Sequence, residues 1–305
     1  GPYLTADSGT IAALKPIGCK LHGVQIDQDG LIPSALEATL QSWNPSQGKF
    51  PKALYIIPTG QNPTGTSLPT ERKRQIYEIA RKYDILILED DAYWFLQIPE
   101  LPGQHTGIKE TFLGLDIKAS LENPDSFRRV IRFDSLSKVF STGYRLGWVV
   151  APKFILDRIC WHLESGAQGA NVLAQLVVYN ALKTMGPSGW NKHIDTIHES
   201  YRRRRDILLT AFETHLTGLA RWNPPKAGLF VWVEILNVED TRPLVTTLAT
   251  EYNVLFVPGS AFYYKDDSPS SFVRMAFSFA PEENLEVAIS KLGQLLRERA
   301  SQHRQ

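Results

Sequence analysis

Cysteine is nearly absent from this 305-residue sequence. Cys19 and Cys160 stand alone, without a CxxC pair, so neither a disulfide framework nor a thiolate zinc site can be read from them, and a reducing, cytoplasmic setting is expected. Long apolar runs are missing too: no window approaches the roughly 18 uninterrupted apolar residues of a membrane helix. Charge of one sign is not in excess, since 33 Lys and Arg oppose 32 Asp and Glu for a net +1, which leaves no global field to recruit nucleic acid or an anionic membrane. The first residues lack both an initiator Met and the basic-then-apolar pattern of a secretory signal, and Gly1-Pro2 reads as a remnant of tag removal. Repeats and low-complexity stretches do not occur. What is present, 43% apolar and 21% charged residues, suits a folded chain with one large domain or two modest ones.

Short, nearly continuous apolar runs recur at residues 53–58 (ALYIIP), 85–89 (ILILE), 130–133 (VIRF) and 148–150 (WVV), as expected of strands covered on both faces. Between the first two, Ile76, Ile79, Ala80 and Tyr83 fall at helical spacing over residues 70–83, with Glu71 at the favourable amino end. A strand–helix–strand unit follows, and with it an α/β fold whose sheet is mostly parallel and whose chemistry lies beyond the carboxyl ends of its strands. After Pro152 the pattern turns to long helices at 173–185 and 194–216, strands at 229–235, 254–257 and 272–277, and an amphipathic helix at 282–299. This predicts two domains, residues 1–165 and 166–305, joined through a helical region. The polar stretch 42–49 is expected to be a surface loop.

Three strand ends carry candidate chemistry. Gly60-Gln-Asn-Pro-Thr-Gly-Thr-Ser follows the first strand, but Thr66 stands where a nucleotide P-loop needs its Lys, so the segment reads as a Pro/Gly turn that presents the Asn62 amide. Glu89-Asp90-Asp91 ends the second strand. Neighbouring strand residues face opposite ways, so these acids do not converge on one ligand, and a solvated or turn-forming cluster is an equal alternative. No His lies beside them to support a transition-metal site, and no metal is expected. Asp134-Ser-Leu-Ser-Lys138, with Arg145 downstream, ends the third strand. Two hydroxyls and a guanidinium can hold a phosphate dianion, and a Lys can attack an aldehyde; standing alone, the same residues make a polar loop.

Taken in order, NPTG, D-x-x-Y and S-x-S-K-x6-R resemble the fold-type I pyridoxal-phosphate (PLP) aminotransferases of class I/II. The wording PTGQNPTG, EDDAYWFLQ, DSLSKVFSTGYRLGWVVAP, VPGSAFY and FVRMAFS is most similar to the kynurenine/2-aminoadipate and fungal aromatic aminotransferases. The resemblance runs from about Ser8 to the end, and it implies a PLP-binding large domain over 1–165, then a linker helix and smaller α+β domain over 166–305. It implies Lys138 as the lysine bonded to the cofactor's aldehyde carbon and as the proton shuttle. Asp90 would partner the pyridine nitrogen, and Tyr93 and Asn62 the ring's phenolic oxygen. Ser135, Ser137 and Arg145 would hold the phosphate, and Arg274 the substrate carboxylate as a planar fork.

The implied function is transfer of an amino group between an aromatic or 2-aminoadipate-like amino acid and a 2-oxo acid, by a homodimer. The alternatives are another PLP reaction (elimination, cyclisation or decarboxylation) and a non-catalytic protein of the same fold. The family's leading section, which includes an aromatic that stacks on the cofactor ring, has no counterpart here: the stacking position falls on Asp7, with Tyr3 nearby out of register. The chain is thus expected to be a fragment or abbreviated form of a longer enzyme, or a protein with a reduced cofactor grip. Among residues outside these motifs, Arg202 to Arg205 read as a solvated helix face, and His193 and His198 have the wrong spacing for a helical metal pair. The remaining histidines have no assigned role. Tyr263 and Tyr264 are candidates for a substrate mouth or for plain packing.

Overall fold

The computed structural model describes residues 8–100, 110–124, 127–263 and 268–302. The first elements are helix α1 (Ser8–Leu14), the antiparallel pair β1 (Ile26–Asp27) and β2 (Gly30–Leu31), and helix α2 (Pro33–Gln41). They are too short to repeat an apolar period in sequence. The predicted strand–helix–strand unit follows as β3 (Ala53–Ile56), α3 (Thr70–Lys82) and β4 (Leu86–Asp90), with the two strands parallel. Helix α3 forms because Ile76, Ile79 and Ala80 bury together, while Glu71 and the pair Arg81 and Lys82 sit at the ends that favour their charges. A second crossover through α4 (Phe112–Glu122) delivers β5 (Val130–Ser135), parallel to β4.

Strand β6 (Gly147–Val150) then runs antiparallel to β5 and completes the order β3-β4-β5-β6. The expectation that this strand is covered on both faces fails: Trp148 and Val150 are exposed on the sheet's last strand. Helix α5 (Lys153–Gly166) precedes α6 (Val172–His215), which merges the two predicted helices across a bend. The bend lies at Gly186, with φ 61 and ψ −178, just before Pro187. Proline has no N–H to donate and its ring collides with the carbonyl four residues back, so the ladder breaks there; glycine tolerates the backbone conformation that results.

The remaining residues build a second sheet: β7 (Ala220–Trp222), β8 (Phe230–Ile235), helix α7 (Arg242–Tyr252), β9 (Val257–Pro258), β10 (Phe272–Ala276) and the closing helix α8 (Glu282–Gln302). All its pairings are antiparallel, in the order β7-β8-β10-β9. The strand predicted at 254–257 is confined to Val257–Pro258. One core lies around Ile76, Ile87, Phe112 and Val130, and a second around Phe212, Val231, Phe277 and Ile289. The α8 stripe Leu285, Ile289, Leu292, Leu295 and Leu296 is buried as its period predicts. A mostly parallel α/β sheet followed by a smaller α+β unit is therefore the architecture.

The run Arg202 to Arg205 is only partly the solvated face expected of it: Arg203 is exposed and the other three are half-buried. Successive helical residues are turned by about 100°, so the four guanidinium groups point different ways, although Arg202 and Arg205 both reach Asp206 and Arg203 and Arg204 both reach Glu282. Arg202 pairs with Glu199 at 2.6 Å, Arg203 with Glu282 at 2.7 Å and Arg205 with Asp206 at 2.7 Å, while Arg204 donates to the carbonyls of Phe277 and Ala280. Arg203 and Arg204 fasten α6 to the segment after β10 and the start of α8, while Arg202 and Arg205 pair within α6.

Candidate functional site

Alternation along β4, continued into Asp91, divides the three acids at its end. Glu89 and Asp91 turn to the buried face, and Asp90 to the other. Glu89 and Asp91 are 0% and 1% exposed, so the solvated-cluster reading does not hold for them. Arg132, on β5, lies between them and Asp134, at 2.8 Å from Asp91, 2.8 Å from Asp134 and 3.4 Å from Glu89. The Glu89 carboxylate also accepts the Phe112 and Leu113 N–H groups at the start of α4, at 2.8 and 3.0 Å. Burial, then the charge of Asp91, pushes the Glu89 carboxyl up to about 7, and burial raises Asp91 against the pull of Arg132. These groups form a structural ion network. Among the described residues, no group of three or more His, Cys, Asp and Glu could hold a metal ion.

Asp90 has different company. Its Oδ2 accepts a 2.6 Å hydrogen bond from the phenol of Tyr55 on β3, and Thr10 of α1 donates to that phenol oxygen at 3.1 Å. Residue 55 could be picked out only as the polar tip in an otherwise apolar strand, and Thr10 carries no sequence signal at all.

The turn after β3 packs against the second sheet. Gly60 and Gly228 meet backbone to backbone, both at positive φ, and a Cβ on Gly60 would lie 2.6 Å from the Gly228 nitrogen. That closeness brings the buried Asn62 to β10, where Arg274 donates to its Oδ1 at 2.7 Å. The Arg274 guanidinium is held between two rings, 4.2 Å from the centroid of Phe230 and 4.7 Å from that of Phe262. Phe230 in turn meets Tyr93 edge-on at 6.2 Å, and the Lys138 ammonium lies 5.8 Å from the Tyr93 ring. Asn62, Tyr93, Lys138 and Arg274 are thus joined in one chain of contacts, in which Phe230 and Phe262 are the members that sequence reasoning missed.

Lys138 ends a single helical turn (Leu136–Lys138) capped by the Ser135 hydroxyl, which accepts the Ser137 N–H at 3.1 Å. Arg145 follows the turn Thr142–Tyr144 at φ 49; it is exposed and donates at 3.4 Å to the Thr142 carbonyl rather than to either serine. Two histidines with no role assigned from sequence anchor these loops to α6. The His193 Nε2 lies 2.6 Å from the carbonyl of Val139, next to Lys138, and the His198 Nε2 lies 2.7 Å from that of Phe95, near Tyr93. A carbonyl can only accept, so each Nε2 carries the proton. The Tyr263 hydroxyl is engaged with Ser270 at 3.0 Å. Tyr264, Asp7, Tyr3, His105 and His303 lie outside the described residues.

A strand-end acid, a lysine, paired hydroxyls and a ring-clamped guanidinium can together hold an anionic, aldehyde-bearing aromatic ring and an amino acid. Known proteins are similar over almost the whole chain. The family described as "Aminotransferase class I and II" matches residues 13–292. The kynurenine/alpha-aminoadipate aminotransferase, mitochondrial, of Bos taurus is 40% identical over 298 residues, covering 95% of this chain. The aminotransferase tdiD of Emericella nidulans is 36% identical over 290 residues, covering 94% of this chain and 64% of its own. This chain spans 66% of the bovine protein's length. Among solved structures, the aromatic aminotransferase Aro9 from C. albicans superposes with a TM-score of 0.86 at 28% identity, covering 98% of this chain and 68% of that one. LysN, an alpha-aminoadipate aminotransferase from Thermus thermophilus complexed with N-(5'-phosphopyridoxyl)-L-leucine, gives 0.84 at 26% identity, covering 97% and 70%.

Proposed function

Because the chain belongs to the class I and II aminotransferase family, we propose that it transfers an amino group between an aromatic or 2-aminoadipate-like amino acid and a 2-oxo acid, with PLP as cofactor. The observation that carries this reading is the 2.7 Å bond between Asn62 and Arg274, which ties a loop of the first sheet to the carboxylate-type fork on the second. The donor set fits PLP. Asp90 supplies the anion that a cationic ring nitrogen needs, and Tyr93 and Asn62 supply hydrogen bonds for a phenolic oxygen. Ser135, Ser137 and the exposed Arg145 supply donors for a phosphate. When bound, the cofactor supplies an electron sink for the pair left behind as the α-carbon loses its proton. Lys138 would hold the group at its aldehyde carbon and, once released as a free amine, would take up the α-carbon's proton and return it. Arg274, stiffened by Phe230 and Phe262, holds the α-carboxylate as a fork and orients the carbon toward Lys138.

Two of the three hydrophobic clusters support a division into a cofactor-binding domain over residues 1–165 and a linker helix with a small domain over 166–305, and the third, around Leu96, Val139, Val178 and Ile194, joins them. The exposed apolar side chains Phe154, Trp161, Leu173, Leu176 and Tyr179 along α5 and α6 support a homodimer. Cys19 and Cys160 are unpaired and exposed, which supports a reducing compartment such as the cytoplasm. Among the described residues no helix is long and apolar enough to cross a membrane.

Purified protein supplied with PLP is expected to absorb visible light, to lose that band when an aromatic or aminoadipate-type amino acid is added, and to regain it with a 2-oxo acid. Lys138→Ala removes both responses. A borohydride label mapping to a residue other than Lys138, or turnover that needs no 2-oxo acid, overturns the reading.

A further inference from the structure

The one acid of β4 that turns away from the ion network is held by a relay of two hydroxyls. We infer that Tyr55, backed by Thr10, is the positioning residue that fixes the Asp90 carboxylate and keeps it ionised for the cofactor's ring nitrogen, an inference that rests on the function proposed above.

Strand geometry explains why a tyrosine serves. In the parallel register Tyr55 stands opposite Leu88, so Tyr55, Leu88 and Asp90 share one face of the sheet, with Asp90 two residues further along. Two residues of strand span about 6.6 Å, a gap that a phenol bridges and that serine or threonine is too short to cross. Phenylalanine would fill the space without an O–H. The 2.6 Å separation lies in the range of a hydroxyl donating to a charged oxygen. The phenol O–H is the donor in this bond and the Asp90 carboxylate oxygen the acceptor. Thr10 donates to the same phenol oxygen at 3.1 Å, and a hydroxyl that accepts one hydrogen bond donates a stronger one. Both bonds favour the ionised acid and restrain its rotation. They also join α1 to β3 and β4 at this point, across 45 and 35 residues of sequence.

The test is PLP binding by the apoprotein, followed by visible absorbance and protein fluorescence in the wild type, Tyr55→Phe, Thr10→Val, Asp90→Ala and the Tyr55→Phe/Asp90→Ala double variant. Tyr55→Phe is expected to raise the Kd for PLP by about ten- to a hundredfold, the worth of a hydrogen bond to a charged group. Thr10→Val should act in the same direction but less strongly. In the Asp90→Ala background, Tyr55→Phe should add nothing, because its target is gone. In turnover, kcat should fall while the KM for the amino acid, set by Arg274, stays close to wild type. An unchanged Kd in Tyr55→Phe, or a loss that adds in full to that of Asp90→Ala, overturns the inference. Should Tyr55→Phe fail to fold by circular dichroism, Thr10→Val decides: a weakened Kd supports the relay and an unchanged one overturns it. A wild-type protein that gives no visible band with PLP instead overturns the proposed function, so the two failures are distinguishable.

Discussion

Glu89 differs from its neighbour Asp90 in which side of one strand it occupies, and that difference sets its chemistry. Buried against Asp91, its carboxyl moves from 4.5 up to about 7. Between those values the folded chain holds a proton that the unfolded chain has released. This group's contribution to stability is therefore full below about pH 4.5, declines as the pH rises and is gone above about 7. Thermal denaturation is expected to show a wild-type melting temperature exceeding that of Glu89→Gln by more at pH 5 than at pH 8; equal gaps at both pH values would contradict the assignment. The split between Asp90 and its neighbours was legible in the sequence, because strand alternation is a local property. Their partners were not: Arg132 comes from the next strand and Tyr55 from the previous one, and register is fixed only when strands pair.

Elements with long apolar periods were the most legible. Helices α3 and α8 each repeat an apolar stripe over several turns and are found where those stripes lie. Strand β6 was misjudged because a run of three apolar residues does not say whether both faces are covered. In α6 the predicted helix end at residue 185 coincides with the break at Gly186-Pro187, and the second helix, predicted from residue 194, resumes directly beyond it. At φ 61 and ψ −178 Gly186 occupies a region open to little but glycine, and no atom lies within 4 Å of an added Cβ. Gly186→Ala should therefore act through backbone strain alone and cost about 1–3 kcal/mol. Urea denaturation measures that cost, and a variant as stable as the wild type would refute it.

At the scale of the whole molecule, two interfaces matter. One is the apolar face of α5 and α6, where Leu173 and Leu176 are 71% and 53% exposed. If it is the proposed dimer face, Leu173→Glu/Leu176→Glu shifts the sedimentation coefficient to that of a monomer; an unshifted dimer would place the contact elsewhere. The other joins the two sheets through Gly60 and Gly228, the Ile98 N–H to the Lys226 carbonyl at 2.9 Å and the Gly228 N–H to the Leu96 carbonyl at 2.9 Å. None of these pairings has a local signature; only the ordered motifs hinted that such distant segments belong together. The bond from Arg274 to Asn62 closes a separation of 212 residues. During synthesis the NPTG turn emerges long before its guanidinium partner, and contacts so distant in sequence come late in folding. A nascent chain can thus finish its first sheet before the bond that ties it to the second can form, since that bond must wait until β10 leaves the ribosome.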